Sequence, residues 1–200
     1  MTSRHTLRFV LLLMAVFALG ACSKKQPVSY VATDISGASY ARDFHLTDHN
    51  GKARTLADFR GKVVAIFFGY THCPDVCPTT LSDFAMAMKR LGKDAEKVQV
   101  IFVTVDPERD TPALLAQYVP AFHASFLGMY SNPATTAMLA KEFKIFYQKQ
   151  PEDMQGRYAV DHSAGTYIYD PQGRLRLYMA YGQGPEAIAH DIAQLLNNAG

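Results

Sequence analysis

Two cysteines, Cys73 and Cys77, stand four residues apart in the stretch FFGYTHCPDVCPTTL, and each is followed by a proline. The apolar run from Val63 to Phe68 precedes them, which predicts a buried central strand. Apolar side chains then recur at helical spacing after proline and hydroxyl residues, which predicts a helix from Thr79 to Leu91. The thiols would therefore lie at a helix N-terminus, where the dipole lowers the pKa of a thiol and favours the reactive thiolate.

The residues leave two kinds of chemistry open for this pair. As thiolates, the side chains bind a soft metal ion, provided that a third ligand completes the site. As a dithiol, they cycle with a disulfide, provided that the turn between them is irregular, because side chains four apart on a helix lie one turn apart. The sequence contains no nucleotide-binding loop, no zinc-type spacing of ligands and no basic patch that would suit nucleic acid.

Four motifs occur in the order and approximate spacing of a known family. They are GKVVAIFFGYT, the cysteine stretch itself, VTVDPERDTP from Val103 to Pro112, and VDHSAGTYIYDPQG from Val160 to Gly173. On these residues the chain resembles the Sco/SenC family over roughly residues 40–196. The resemblance implies a thioredoxin-like fold and delivery of copper to the dinuclear copper centre of cytochrome c oxidase.

The resemblance also assigns roles to individual residues. The metal-binding histidine of the family occupies the VDHS position, which implies that His162 joins Cys73 and Cys77 in holding Cu(I) or Cu(II). Without the resemblance, a single histidine at this point would more often be structural or exposed. His72 abuts the first cysteine and could touch the metal, but a neighbour on a turn more often points to solvent.

Three carboxylates are candidates for residues that contact the metal ligands without binding the metal. Asp75, between the cysteines, either raises the pKa of the thiols or caps the helix. Asp106 and Asp161 each either accept a hydrogen bond from the histidine ligand or satisfy backbone groups of their own loops. The apolar, β-branched run from Val98 to Val105 predicts a second buried strand. Arg109 and Asp110 are expected to form an ion pair that holds the loop after this strand.

The N-terminus has the features of an export signal. Arg4 and Arg8 precede an apolar segment, Phe9–Leu19, that is short for a membrane span. The sequence LGAC that ends at Cys22 resembles the lipobox of bacterial lipoproteins, which implies cleavage before Cys22 and lipidation of that residue. An uncleaved membrane anchor is the alternative, and both readings place the domain outside the cytoplasm.

This reading divides the chain into three parts. Residues 1–21 are predicted to be a lipoprotein signal peptide, residues 22–39 the lipidated cysteine and its tether, and residues 40–200 the folded domain. The protein is then a membrane-tethered lipoprotein on the periplasmic face. Lipidation leaves one pair of cysteines, which in an oxidising compartment forms a disulfide unless a reductant or a metal holds the thiols.

Composition and pattern favour one globular α/β domain. The chain has 200 residues, of which 48% are hydrophobic and 19% charged. The formal charge of +2 disappears with Arg4 and Arg8, since 18 basic and 18 acidic residues remain, so charge gives no reason to expect nucleic acid as a partner. The order of apolar segments predicts a central mixed sheet flanked by helices, with an N-terminal β-hairpin at Asn50-Gly51.

The predicted function is that of a copper metallochaperone, which passes copper by ligand exchange to an oxidase subunit. The alternative is an extracytoplasmic thiol-disulfide oxidoreductase that reduces partner cysteines or answers oxidative stress. Ordinary thioredoxins have two residues between their cysteines, whereas CPDVC has three. The expected partners are the copper-receiving oxidase subunit, a thiol reductant of thioredoxin type, and the membrane through Cys22.

Overall fold

The computed structural model describes residues 28–198, so the predicted signal peptide and Cys22 lie outside the described residues. The strands within this range are β1 (Thr33–Asp34), β2 (His45–Asp48), β3 (Ala53–Thr55), β4 (Val63–Gly69), β5 (Val98–Thr104), β6 (Leu127–Tyr130), β7 (Tyr147–Lys149), β8 (Val160–His162), β9 (Thr166–Tyr169) and β10 (Leu175–Met179). The α-helices in the same range are α1 (Val76–Leu91), α2 (Pro112–Tyr118), α3 (Pro133–Glu142) and α4 (Gly184–Asn197). In this part of the chain, no helix is both long and apolar enough to span a bilayer.

The strands form a mixed eight-stranded sheet in the order β1-β10-β9-β4-β5-β6-β2-β3. The three central strands β4, β5 and β6 run parallel, and the outer pairs are antiparallel. All seven residues of β4 and of β5 are buried. This burial explains their nearly continuous apolar sequences, because helices and loops cover both faces of a parallel sheet.

The core lies on both sides of β4, as the alternation of a strand requires. Val63, Ala65 and Phe67 face a cluster that contains residues of α1, α2 and α4. Val64, Ile66 and Phe68 face a second cluster, to which α3 and the β2–β3 hairpin contribute. The predicted mixed sheet with helices on both faces and an N-terminal hairpin is therefore confirmed.

One helix boundary differs from the prediction. Helix α1 begins at Val76 rather than Thr79, so Cys77 lies in its first turn and not before it. The prediction placed the start of α1 after the second proline, but proline is also tolerated within the first turn, where its missing N–H has no partner to lose.

The segment assigned to the tether is partly packed on the domain. Thr33 and Asp34 pair with β10 at the edge of the sheet. The carboxylate of buried Asp191 accepts hydrogen bonds from the backbone N–H groups of Val31 (2.9 Å) and Ala32 (2.8 Å). The predicted domain start at residue 40 is therefore too late, because the short segment has no periodicity of its own and is ordered by partners far along the chain.

Candidate metal centre

Three side chains of the predicted site converge in the fold. The possible ligand atoms of Cys73, Cys77 and His162 all lie within 4.8 Å of one another. Nε2 of His162 is 3.5 Å from Sγ of Cys77. Both cysteines are free thiols; Cys77 is 1% exposed, whereas Cys73 and His162 are partly exposed. In the described part of the chain, this is the one group of three such side chains that could hold a metal ion.

A glycine makes room for the buried sulfur. Strand β4 ends at Gly69, and a Cβ atom built there would lie 2.4 Å from Sγ of Cys77 and 2.8 Å from a ring carbon of Phe102. Real Cβ atoms do not approach other atoms this closely, so a side chain at this position would displace the sulfur or the aromatic ring. Gly69 therefore lets Cys77 pack directly against the end of the central strand.

The environment of Cys77 opposes ionisation. Burial raises the pKa of the Cys77 thiol, and the neighbouring Cys73 sulfur raises it further. The backbone N–H of Tyr70 acts in the opposite direction but does not reverse the shift. The expected lowering of the thiol pKa by the helix dipole is wrong for Cys77, because its sulfur lies inside the core rather than in front of the helix end.

A buried carboxylate fixes the loop that leads to Cys73. Asp110, 1% exposed, accepts hydrogen bonds from the backbone N–H and hydroxyl of Thr71, the latter at 2.5 Å. It also accepts a 2.6 Å hydrogen bond from the hydroxyl of Thr104 at the end of β5. The expected ion pair between Arg109 and Asp110 is wrong; Arg109 pairs with Asp106 instead, with Nε 2.5 Å from the carboxylate.

His162 is held from the other side of the site. It is the last residue of β8, which pairs with β7 in a separate two-stranded sheet that the sequence analysis did not predict. Nδ1 of His162 lies 3.0 Å from the carbonyl oxygen of Ser163, which can only accept, so Nδ1 carries the proton. Nε2 is then the atom with a free lone pair, and it is the atom that faces Cys77.

The structure shows no hydrogen bond from the histidine to Asp106 or Asp161, the two carboxylates proposed for that role. Asp161 accepts a 2.6 Å hydrogen bond from the side chain of Gln150. Asp106 accepts from Arg109 and from the hydroxyl of Tyr158 (2.9 Å). Asp75 is at the N-cap of α1, but its side chain caps no backbone N–H there.

His72 is also separate from the three converging side chains. Its side chain is 52% exposed, and its Nδ1 lies 3.1 Å from the hydroxyl of Thr71. Tyr70 is a further residue near the site that the sequence analysis did not single out. Its ring stands perpendicular to that of His162, with centroids 5.8 Å apart. Asp110 was expected to hold its loop through Arg109, whereas it anchors the cysteine loop through Thr71 and Thr104.

Comparison with known proteins agrees with the sequence motifs. A sequence model of the SCO1/SenC family matches residues 32–197, most of the chain. The chain belongs to the SCO1/SenC family. Among curated members of this family, the cattle (Bos taurus) mitochondrial protein SCO2 homolog is 38% identical over 152 residues, which cover 75% of this chain and 57% of the relative. The chain thus spans little more than half the length of that SCO2 homolog.

Solved structures of Sco proteins have the same fold. Copper-bound ScoI of Bradyrhizobium japonicum is 42% identical, covers 76% of this chain and 97% of its own, and superimposes with a TM-score of 0.70. Apo Sco1 of Thermus thermophilus is 39% identical, covers 85% and 99% respectively, and gives a TM-score of 0.75. The predicted thioredoxin-like Sco/SenC architecture is confirmed by these similarities together with the observed sheet.

The chemistry of the three donors restricts which metal fits this Sco/SenC domain. Two sulfurs and one imidazole nitrogen form a soft donor set, which suits copper and disfavours magnesium or calcium. Each thiol must lose its proton when it binds, so binding releases protons. Because two of the three donors are partly exposed, an external ligand can approach the site on the Cys73 and His162 side.

Proposed function

We propose that the protein is a copper metallochaperone that binds one copper ion through Cys73, Cys77 and His162 and delivers it to a respiratory cytochrome c oxidase during assembly. The observation that carries the proposal is the convergence of the three soft donor atoms within 4.8 Å. The 42% identical ScoI of Bradyrhizobium japonicum has been solved with copper bound, which supports copper as the cargo. The oxidase as recipient is what family membership suggests.

The unequal burial of the ligands suggests an order of transfer. A ligand of the recipient can reach copper only from the side of Cys73 and His162, since Cys77 is 1% exposed. Exchange then begins with release of His162 or Cys73 and ends with release of Cys77, which takes up a proton as the copper leaves. Burial raises the pKa of Cys77, so this final protonation is favoured and helps to make release complete.

A second function, thiol-disulfide exchange, is supported by the two adjacent free thiols. In this reaction the thiolate of partly exposed Cys73 attacks a partner disulfide, and Cys77 then resolves the mixed disulfide and leaves a Cys73–Cys77 disulfide. A reductant of thioredoxin type must return the pair to the dithiol. The raised pKa of Cys77 slows the resolving step, because the thiolate is the attacking form.

The location is also part of the proposal. We infer a lipoprotein tethered through Cys22 at the periplasmic face, and the basic and apolar residues before LGAC support it. The ordered segment from Val31 shortens the tether to about ten residues, which spans at most ~35 Å when fully extended. The copper site would therefore work close to the membrane that holds the lipid anchor.

Anaerobic titration of the reduced chain with Cu(I) tests the proposal. We expect one copper per chain, measured by competition with a Cu(I) chelator, and an affinity at least about tenfold lower for His162→Ala. His72→Ala is the matched control, because it removes a partly exposed histidine beside the site without removing a proposed ligand, and it should bind as the wild type does. If the wild-type chain binds Cu(I) weakly and His162→Ala does not change the affinity, the proposal is contradicted. Cys73 and Cys77 should then be assayed for thiol-disulfide exchange.

A further inference from the structure

The hairpin that carries His162 has little support of its own. Among the described residues, strand β8 pairs only with β7, through the partners His162–Tyr147, Asp161–Gln148 and Val160–Lys149. An isolated two-stranded hairpin is marginally stable in water. The distance between His162 and Cys77 must therefore be set by contacts from the rest of the fold to this hairpin, and these contacts can be traced.

Arg109 makes the most extensive of these contacts. Its Nη1 donates a 2.9 Å hydrogen bond to the carbonyl oxygen of Tyr158, two residues before β8. Its guanidinium carbon lies 3.4 Å from the centroid of the Tyr158 ring. The carboxylate of Asp106 joins the two residues, since it accepts from Nε of Arg109 and from the hydroxyl of Tyr158. The backbone, the ring and the hydroxyl of Tyr158 are thus all held.

The same guanidinium also reaches toward the histidine. The guanidinium carbon of Arg109 is 5.6 Å from the centroid of the Tyr70 ring. The ring of His162 stands edge-to-face with the same Tyr70 ring, at a centroid distance of 5.8 Å. A second contact involves β7, where Lys149 lies 3.9 Å from the Tyr158 ring and 3.4 Å from the carboxylate of Glu108. Both strands of the hairpin therefore rest on one loop, which consists of residues 106–110.

The loop of residues 106–110 holds both halves of the site. Through Asp110 it fixes Thr71 and the turn that leads to Cys73, and through Arg109 and Asp106 it fixes Tyr158 and the hairpin. We propose, on the basis of the copper site proposed above, that Arg109 is a positioning residue. It holds His162 within bonding reach of the cysteine-bound copper. A ligand's affinity depends on groups that orient it, even when those groups do not touch the metal.

A thermodynamic cycle separates this role from a general effect on stability. The four proteins are the wild-type chain, Arg109→Gln, His162→Ala and the double variant, each titrated with Cu(I) against a chelator under reducing conditions. If Arg109 acts through His162, its replacement lowers affinity about tenfold in the wild-type background and less than about twofold when His162 is already absent. Arg109→Lys keeps the positive charge but loses the planar set of N–H donors of the guanidinium group. Its Cu(I) affinity should therefore lie between those of Arg109→Gln and the wild type.

Arg54→Gln is the matched control. Arg54 is 20% exposed, pairs through Nε with buried Asp48 at 2.8 Å and lies 5.6 Å from the centroid of the Phe59 ring. Arg109 is 21% exposed and pairs with Asp106 in the same way, so the two replacements disturb equivalent arginine–carboxylate–aromatic units. We expect Arg54→Gln to lower stability comparably and to leave Cu(I) affinity unchanged.

A measurement without metal keeps the two proposals separate. In the reduced metal-free protein, the ring current of Tyr70, whose centroid is 5.8 Å from that of His162, should shift the NMR signals of the His162 ring protons. Arg109→Gln should move these signals toward those of an exposed histidine, and Arg54→Gln should not. If the wild-type chain binds no Cu(I), the proposed function is wrong, and this shift alone decides the role of Arg109.

Three results would overturn the positioning role. One is an equal loss of affinity with and without His162, which would show that Arg109 acts on the whole domain. Another is unchanged affinity in Arg109→Gln. The last is a set of His162 ring signals that stay at their wild-type positions, which would show that the hairpin keeps its place without this arginine.

Discussion

The strand that leads to the cysteines is paired on both edges, with β5 along its whole length and with β9 over four residues, whereas β8 has three residues and one partner. Cys77 is buried in the core, while His162 is partly exposed at the end of its hairpin. One half of the site is thus part of the rigid centre of the fold, and the other is attached to it by side chains. This difference would suit the proposed role of a copper carrier, because a carrier must retain the metal on one side of its site and exchange ligands on the other.

The two halves also differ in the kind of interaction that holds them. The cysteine half depends on close packing around Gly69 and on the buried carboxylate of Asp110. The histidine half depends on an arginine, a tyrosine and a lysine whose contacts are partly open to solvent. A closely packed region is disrupted by a substitution that changes side-chain volume. A partly exposed polar contact is disrupted by a substitution that removes a hydrogen-bond donor. The predictions below use this contrast.

The largest effect is expected from Gly69→Ala. The added methyl group would overlap the sulfur of Cys77 and the ring of Phe102, so one of them must move. We expect a loss of about 3 kcal/mol in the free energy of unfolding, measured by denaturant titration, and loss of tight Cu(I) binding.

Gly128→Ala is the control for this prediction. A Cβ atom at Gly128 would lie 3.1 Å from side-chain atoms of Leu115 and Val119, a milder contact in a strand two positions from β4 in the sheet. It should cost less stability and leave the affinity for Cu(I) unchanged. Normal copper binding in Gly69→Ala would show that the cysteine half tolerates displacement, and would remove the contrast between the halves.

A second prediction compares the two thiols in the metal-free protein. In a Cys22→Ser background, Cys73 should react with iodoacetamide at least about a hundredfold faster than Cys77, because a buried thiol with a raised pKa is both inaccessible and protonated. Mass spectrometry of peptides over time gives both rates. In denaturant the rates should become similar, and comparable rates in the folded protein would mean that the cysteine half opens readily.

Sequence reasoning predicted the half of the site that depends on local pattern. The apolar run of β4 and the helical period after Cys77 set the strand, the turn and the helix, and the structure moved only the start of the helix, to Val76. The parallel pairing of β4 with β5 follows in the same way from two nearly continuous apolar segments. Such patterns are visible because they repeat within a few residues.

The contacts that hold the hairpin and the cysteine loop in place could not be predicted in the same way. They join residues far apart in the chain: Arg109 and Tyr158 are 49 positions apart, and Thr71 and Asp110 are 39 apart. Strands β7 and β8 are three residues long, too short for an alternating pattern to be recognised. The direction of the shift in the pKa of Cys77 was missed for the same reason, since burial is a property of the assembled core.

The smallest expected effect concerns Asp110→Asn, which acts on the cysteine half from the same loop as Arg109. The amide group loses one acceptor oxygen for Thr71 and Thr104, so the turn before Cys73 loosens. We expect Cu(I) affinity to fall about tenfold or less, and to fall equally in the His162→Ala background. If Asp110→Asn lowers Cu(I) affinity in the wild-type background but not in the His162→Ala background, then Asp110 acts through the histidine. The loop of residues 106–110 would then not hold the two halves of the site separately.

The dependence of stability on pH gives an independent check on Asp110. Burial raises the pKa of Asp110 even though hydrogen bonds from Thr104 and Thr71 lower it, so the folded state favours the protonated carboxyl. Its contribution to stability is therefore complete below the unfolded pKa of about 4 and is lost as the pH rises through the folded pKa. The free energy lost in Asp110→Asn should be larger at pH 3.5 than at pH 7, as measured by denaturant titration. The opposite trend would mean that the hydrogen bonds from Thr104 and Thr71, which favour the ionised carboxylate, outweigh the effect of burial.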